Sequence, residues 1–186
     1  MLPVRGGIVA LTIQVDCRGH EPLLAKQLRP WLDLFHMKQA RIEVAQIPVG
    51  DVFWEAGSRC YAVERKALSL KSDDMARSFG WGKGRLGRQI RRMQAATAQG
   101  RAALLVEGDI IQGPGDLIYD RESGAPVGWP LTWSELTGIM WRSRMEGLIA
   151  ERTQDMDETA QVVARMIRLS THPSRWLPDA AKSGTP

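Results

Sequence analysis

The segment from Gly50 to Lys66 constrains the fold of this chain most strongly. Two short apolar runs flank a glycine-containing turn, a pattern that predicts a β-hairpin. The second run ends in Glu64-Arg65-Lys66. Because successive side chains of a strand point to opposite faces, Glu64 and Lys66 share one face and Arg65 takes the other. The hairpin returns Asp51, at the start of the first run, towards Glu64.

Two carboxylates and one ammonium group at the end of a sheet suit metal-dependent hydrolysis of a phosphodiester bond. Hard oxygen ligands such as those of Asp51 and Glu64 hold Mg²⁺, which stabilises developing negative charge and activates water. Lys66 would orient the attacking water or contact the phosphate. The same residues also fit a solvated strand end with an aspartate in a turn, since Asp…Glu-X-Lys is a loose pattern.

The distribution of charge favours a polyanionic substrate. The net charge of the 186 residues is only +4, but no Asp or Glu lies between Met75 and Val106. The basic residues of that window are Arg77, Lys83, Arg85, Arg88, Arg91, Arg92 and Arg101. An acid-free basic stretch beside a cluster of carboxylates is expected of a metal site that binds nucleic acid.

The apolar pattern predicts an α/β layer structure. Strands are expected at residues 7–15, 41–47, 102–106 and 148–151, in addition to the hairpin. Helices are expected at residues 23–35, 72–79, 85–99, 132–145 and 155–169. Pro30 implies a kink in the first helix or two short helices. Residues 108–130 are rich in Gly and Pro and predict a long loop with a small hairpin around Leu117-Ile118-Tyr119, either a DNA-contacting flap or a disordered segment.

The same composition excludes several classes of protein. No apolar run approaches the ~20 residues that span a bilayer, and the N-terminus lacks the pattern of a signal peptide. The two cysteines, Cys17 and Cys60, have no metal-ligand spacing. We therefore expect a reduced intracellular protein without a membrane partner, cytoplasmic if prokaryotic or phage-encoded and nuclear if eukaryotic.

Five short motifs in chain order resemble those of a known family. They are Val15-Asp16-Cys17-Arg18, Val49-Gly50-Asp51, Val63-Glu64-Arg65-Lys66, Gly84-Arg85-Leu86 with Gln89, and Val106-Glu107-Gly108. Together they resemble the nuclease domain of the XPF-type structure-specific endonucleases, a branch of the restriction-endonuclease-like PD-(D/E)XK superfamily. The resemblance covers about residues 10–170. Each motif alone is weak, and the order of all five makes the resemblance specific.

The resemblance implies a restriction-endonuclease-like central mixed β-sheet flanked by helices. It implies a nuclease domain at residues 1–170, followed by a flexible tail at 171–186. The implied activity is Mg²⁺- or Mn²⁺-dependent endonucleolytic cleavage of branched, forked or flap DNA in repair or recombination. DNA is the implied partner, with a homodimer or heterodimer formed through the nuclease domain.

Site residues follow from the resemblance motif by motif. The implied catalytic residues are Asp16, Asp51, Glu64, Arg65 and Lys66, with Asp51, Glu64 and Asp16 as metal ligands. The implied substrate-binding residues are Arg18, Asp74, Arg85 and Gln89. The acid-free basic window adds Lys83, Arg88 and Arg92 as residues expected to contact the DNA backbone.

Four of these residues have equally simple alternative readings. Asp16 could instead cap a turn, and Arg18 could bind a phosphate or pair with Asp16. Arg65 could donate its carbonyl to the metal, brace the site or be a plain surface arginine. Asp74 is either a site residue or an acid favoured at a helix N-terminus.

This chain departs from the family pattern at three points. Gly19 stands where the family has a Glu, and Glu21 is a displaced candidate for it. Leu70 stands where the family has an Asp, whose place Asp73 or Asp74 could take, with Asp74 preferred. The tandem helix-hairpin-helix domain that often follows this fold is absent from the sequence. These departures motivate two alternatives to a structure-specific nuclease: a catalytically weak DNA-binding scaffold subunit, or a standalone end-processing nuclease.

Overall fold

The computed structural model describes residues 11–18, 21–72, 74–78, 84–98 and 101–172. The strands are β1 Thr12–Asp16, β2 Arg41–Ala45, β3 Val52–Ala56, β4 Arg59–Ala67, β5 Arg101–Glu107, β6 Ile110–Gln112, β7 Ile118–Asp120, β8 Pro126–Val127 and β9 Ile149–Thr153. The helices are α1 Glu21–Leu34, α2 Asp74–Ser78, α3 Arg85–Ala96, α4 Trp133–Met145 and α5 Met156–Thr171. Outside the described residues lie Lys83, Asp73, the start of the first predicted strand and residues 173–186 of the predicted tail. Thr171, the predicted start of that tail, is the last residue of α5.

Six strands form one mixed sheet in the order β2-β1-β3-β4-β5-β9. The predicted hairpin is present: β3 and β4 pair antiparallel, with Val52 opposite Val63 and Ala56 opposite Arg59. Strand β5 runs parallel to both β4 and β9, and β1 runs parallel to β2. The prediction of a central mixed sheet flanked by helices is confirmed.

Helices cover both faces of the sheet, and strand alternation decides what each face presents. On one face Leu104 and Val106 of β5 pack with apolar residues of α2, α3 and α4. On the other face Ala103 and Leu105 pack with α1 and α5. The period-2 alternation of β4 therefore directs Glu64 and Lys66 towards α2 and α3, while Arg65 points towards α1 and α5.

Helix α1 runs without interruption through Pro30, so the alternative of two short helices is wrong. A proline inside a helix costs ~3 kcal/mol because it removes a hydrogen bond and crowds the preceding turn. The helix also buries Leu24, Leu28 and Leu32 completely along one stripe. Each such burial contributes ~1.5–3 kcal/mol, so tertiary packing outweighs the local cost of the proline.

Residues 108–130 contain an antiparallel sheet of β6, β7 and β8. The hairpin expected around Leu117-Ile118-Tyr119 is therefore present, and the alternative of a disordered segment is wrong. Ile110, Ile118 and Val127 anchor it in the main core. Gly108 permits the junction, because a Cβ there would lie 2.0 Å from the carbonyl oxygen of Leu68. The segment carries four acidic residues and one basic residue, a balance that disfavours contact with phosphates.

Helices α4 and α5 start where their sequence signals predict. Thr132 caps α4, and its hydroxyl accepts from the Glu135 backbone N–H while the Glu135 side chain accepts from Thr132 N, which confirms the predicted capping box. Asp155 caps α5 in a similar way. Across the described ranges, none of the helices combines the length and hydropathy that a membrane span requires.

Candidate active site

A polar pocket of about 550 Å³ opens at the end of the sheet where β1 and β4 terminate and β3 begins. It brings together Asp16, Arg18, Asp51, Glu64, Arg65, Lys66, Asp74, Arg85, Gln89 and Arg92, together with Glu21, Lys71 and Arg77. Of the predicted site residues that the structure describes, only Arg88 does not line this pocket; it lies on the exposed side of α3. A larger cavity beside the hairpin turn, about 990 Å³, has only two charged residues in its lining, Glu55 and Arg59.

Glu64 and Lys66 meet on the face of the sheet that α3 covers. The Lys66 ammonium donates to Glu64 Oε1 in a very short contact, and it lies 3.3 Å from Asp74 Oδ2. Gln89 Nε2 of α3 donates to the same Glu64 oxygen at 2.7 Å. Lys66 is only 2% exposed, so its charge is held inside the protein among carboxylates. The shared face predicted for Glu64 and Lys66 is confirmed.

Asp51 is fixed by the backbone of the neighbouring strand. Its Oδ2 accepts a 2.6 Å hydrogen bond from the Arg65 backbone N–H, and its own N–H donates to Val63 O at 2.7 Å. The preceding Gly50 has φ +70°, and a Cβ there would lie 2.7 Å from the Val63 carbonyl oxygen. A glycine is required at this position because the chain both turns left-handed and passes close to β4.

Burial and mutual repulsion perturb the carboxylates. Desolvation, followed by the negative charge of Glu64, raises the pKa of Asp51 well above its ordinary value. Desolvation also raises the pKa of Glu64, although the Lys66 ammonium opposes it. Burial acts to lower the pKa of Lys66, but Glu64, Asp51 and Asp74 outweigh it and the net shift is upward. The pocket therefore contains acids that a bound cation would stabilise in their charged form.

Arg65 lies on the opposite face of β4 and is buried, so the alternative of a plain surface arginine is wrong. Its guanidinium forms two hydrogen bonds with Glu107, of which the Nε–Oε2 bond is 2.6 Å long. A third nitrogen lies 3.4 Å from Glu21 Oε1 at the start of α1. Among the alternatives given by the sequence, these contacts support a residue that braces the site.

Asp16 is engaged by Arg18. The Arg18 Nε donates to both carboxylate oxygens, and its Nη2 lies 2.6 Å from Asp16 Oδ2. Arg18 is 60% exposed, while Asp16 is buried. The Asp16 hydrogen bond and charge raise the pKa of Arg18. Of the two alternatives for Arg18, the structure contains the ion pair, and a phosphate contact stays a prediction.

Comparison with known proteins identifies the family of this chain. The family model described as "ERCC4 domain" matches residues 16–166. The chain belongs to the ERCC4 domain family. The resemblance to XPF-type nucleases given by the sequence motifs is therefore confirmed.

Solved structures show the same fold. The XPF protein of Aeropyrum pernix is 23% identical with a TM-score of 0.51, over 86% of this chain and 65% of that chain. The same protein in complex with DNA is 24% identical with a TM-score of 0.51, over 91% of this chain and 68% of that one. This chain thus spans about two thirds of the length of the XPF chains. No curated protein matches it.

The ERCC4 domain has a donor set that suits a divalent cation. Asp51 and Glu64 supply hard carboxylate oxygens from one desolvated pocket. Gln89 Oε1 is buried there, with no hydrogen-bond partner among the residues that the structure describes. Asp16 does not complete a triad: within the described ranges, no three His, Cys, Asp or Glu side chains group closely enough to hold an ion. Asp51 and Glu64 are the residues that fit a metal.

A basic helix borders the pocket. Helix α3 buries Leu86, Ile90 and Met93 and exposes Arg85, Arg88, Arg91 and Arg92, which agrees with the basic face predicted from the sequence. Arg85 and Arg92 also line the pocket itself. Phosphate groups approaching the buried carboxylates would therefore pass positive side chains.

Two acids that contact Arg65 are absent from the site residues predicted by the sequence, which offers one of them, Glu21, only as a displaced candidate. Glu107 was part of a motif but not predicted as a site residue, although an acid that ends a buried strand requires a partner. Its register opposite Ala67 brings it beside Arg65. Glu21 reaches Arg65 from the first turn of α1, which sequence spacing could not show.

Proposed function

We propose that this ERCC4 domain is a divalent-metal-dependent DNA endonuclease that hydrolyses phosphodiester bonds. The observation that carries the proposal is the buried contact of Lys66 with Glu64, in a pocket shared with Asp51 and bordered by the arginines of α3. Membership of the ERCC4 domain family supports a DNA endonuclease. The extent of the family match, residues 16–166, supports a nuclease domain at residues 1–170, and the tail that follows it stays a prediction.

Each residue of the pocket would have a separate task. Asp51 and Glu64 would hold Mg²⁺ or Mn²⁺, which when bound supplies charge stabilisation and activates water. Lys66 would orient the attacking water and neutralise charge that develops on the phosphate. Arg65 fixes the orientation of Asp51 through its backbone N–H. Arg85 and Arg92 would position the DNA backbone. Asp16 stays a predicted third ligand that would first have to leave Arg18.

The substrate proposal is DNA that is branched, forked or carries a flap. It rests on the XPF-type resemblance and on the basic border of the pocket, which would bind phosphates without regard to sequence. One solved structure of Aeropyrum pernix XPF is a complex with DNA.

The structure gives two reasons to prefer an active nuclease over a scaffold subunit. Leu70 is exposed, but Asp74 contacts Lys66 and supplies an acid to the site. Gly19 is not an acid, but Glu21 contacts Arg65. The departures at Leu70 and Gly19 thus each have an acid nearby that contacts a residue of the site, and Asp51, Glu64 and Lys66 are all present.

A homodimer or heterodimer remains part of the proposal. Trp141 and Met145, four residues apart on α4, are 65% and 72% exposed. An apolar helix face of this kind is a candidate subunit interface. Sedimentation equilibrium of the wild type and of Trp141→Ala tests it, and a wild type that is monomeric alone and with DNA would contradict a homodimer.

Cleavage of labelled duplex, flap, fork and four-way-junction DNA, with and without Mg²⁺ or Mn²⁺, tests the proposal. We expect flap or fork DNA to be cut only with metal, and cutting to be lost in Glu64→Gln and Lys66→Ala. Glu151→Gln and Lys26→Ala are matched controls, because both residues are exposed and lie away from the pocket. Binding without cutting would support the scaffold alternative, and linear duplex as the best substrate would support end processing.

A further inference from the structure

We propose that Glu107 is a positioning residue of this site, which neutralises Arg65 behind Asp51 so that the pocket in front can hold a cation. The proposal rests on the metal-binding part of the proposed function. It extends that function by giving a role to a buried carboxylate that does not line the pocket.

Glu107 is built into a network of buried polar contacts. Besides its two hydrogen bonds with Arg65, it accepts from Thr159 Oγ1 at 2.9 Å. The Thr159 hydroxyl lies 2.6 Å from Thr153 Oγ1, and both threonines are buried. The orientation of the Glu107 carboxylate is thus fixed from β9 and α5, on the side away from the pocket.

Arg65 connects this network to the metal-holding residues. Its side chain faces Glu107, while its backbone N–H donates to Asp51 Oδ2 at 2.6 Å. The end of β4 is also fixed to β5, because Leu68 N donates to Glu107 O at 2.7 Å. A change at Glu107 can therefore reach Asp51 through a single intervening residue.

Glu107 neutralises the buried charge of Arg65, and this affects how strongly the pocket binds a cation. The Arg65 guanidinium is 7% exposed, and its charge interacts with Glu107, Glu21 and Asp51. Glu107 makes the closest of these side-chain contacts, whereas Glu21 lies at 3.4 Å. Without the Glu107 charge, a poorly screened positive charge behind Asp51 would repel a divalent cation in front of it.

A purely structural ion pair would behave differently. Loss of one partner of a buried pair destabilises a protein because the other charge remains unpaired. If Glu107 served only stability, the molecules that still fold would bind cations with unchanged affinity. Cation affinity of folded protein is therefore the measurement that separates the two roles.

The test is titration of the full chain with Mn²⁺, followed by electron paramagnetic resonance, for the wild type, Glu107→Gln and the double variant Arg65→Met/Glu107→Gln. We expect Glu107→Gln to raise the Kd for Mn²⁺ about tenfold. The double variant removes the repelling charge too and is expected to return to within about threefold of wild type. Glu151→Gln, an exposed acid on β9, is the control and should not change the Kd.

Three outcomes overturn the proposal: a wild type that binds no Mn²⁺, an unchanged Kd in folded Glu107→Gln, or a double variant that binds no better than Glu107→Gln. If Glu107→Gln does not fold, the double variant still tests the idea, since it leaves neither member of the Arg65–Glu107 pair alone; loss of its Mn²⁺ binding counts against us. The two proposals can fail separately. If the wild type binds Mn²⁺, Asp51→Asn does not, and the wild type cuts no DNA, the nuclease proposal is refuted and the role of Glu107 in cation binding is not.

Discussion

At the scale of single residues, the pocket concentrates negative charge that the folded protein only partly balances. The buried ammonium of Lys66 contacts Glu64 and Asp74, and the negative charge of Asp51 also acts on it. Burial makes each negative charge costly, and this raises the pKa of Asp51 and Glu64. A site of this kind sacrifices stability for function, because the charges that bind a cation destabilise the fold in its absence.

Asp51→Asn should stabilise the metal-free protein at neutral pH. Because the folded-state pKa of Asp51 is raised, the folded protein binds more protons than the unfolded chain between the ordinary value of about 4 and the raised value. Stability therefore falls as pH increases through that window. The uncharged Asn side chain of the variant does not ionise and so avoids this loss of stability. We expect the unfolding free energy to rise by about 1 kcal/mol at pH 8, which corresponds to roughly 2–4 °C in Tm.

Thermal melts in EDTA at pH 4 and pH 8 check this expectation. The gain should be small at pH 4, because the carboxyl is then protonated in the folded protein and only about half ionised in the unfolded chain, so that little of the loss has built up. Glu151→Gln, which changes an exposed acid, is the control. A Tm at pH 8 equal to or below that of the wild type would contradict the assignment of Asp51 as a desolvated acid.

Lys66→Met should have the opposite effect, and a divalent cation should reverse it. Removing the ammonium leaves Glu64 and Asp74 without their buried cation, a loss of about 3–5 kcal/mol for such pairs. Mn²⁺ at millimolar concentration should raise the Tm of this variant more than that of the wild type, because it replaces the missing charge. Differential scanning calorimetry measures the loss of stability and the Tm increase caused by Mn²⁺, and Lys26→Met, at an exposed position, is the control. If Mn²⁺ raises the Tm of Lys66→Met and of the wild type equally, the cation does not bind beside the carboxylates that Lys66 contacts.

At the scale of secondary-structure elements, the sequence predicts the features that follow from the periodicity of strands and helices. It does not predict those that tertiary packing decides. Alternation in β4 correctly separates Glu64 and Lys66 from Arg65. The three short strands within residues 108–130 are too brief for any period to show, and the sequence predicts there only a long loop with one small hairpin around Leu117-Ile118-Tyr119. Pro30 marks a break that the burial of α1 overrides. The pairing of Asp16 with Arg18 is one of the two alternatives that the sequence offers for Arg18, and only the side-chain rotamers in the folded protein select it.

Gly50→Ala tests the turn that positions Asp51 beside β4. The variant combines a left-handed φ with a Cβ 2.7 Å from Val63 O, so we expect a cost of about 2–4 kcal/mol in unfolding free energy. Gly57→Ala is the matched control, since Gly57 has φ +62° but no atom within 4 Å of the added Cβ, and should cost only about 1 kcal/mol. Urea unfolding compares them. If both variants lose the same unfolding free energy, the close approach of Gly50 to β4 does not contribute to the need for glycine there.

At the scale of the whole molecule, charge is divided between two regions. Helix α3 presents an arginine-rich surface beside the pocket, and the small sheet of residues 108–130 has an excess of acids. Phosphates would be attracted to the first and repelled by the second. We therefore expect DNA to cross the mouth of the pocket along α3 and to avoid the small sheet.

The salt dependence of DNA binding tests this orientation. Each lost phosphate contact lowers the slope of log K against log salt by about one, so Arg85→Ala/Arg92→Ala should reduce the slope for flap DNA by about two. Arg41→Ala/Arg101→Ala removes the same charge from exposed starts of β2 and β5, at the opposite end of the sheet, and should leave the slope unchanged. Fluorescence anisotropy between 50 and 200 mM salt, the range in which such slopes are steep, gives both values. If the two double variants lose the same amount, net charge alone drives binding, and the border of the pocket has no special part in holding DNA.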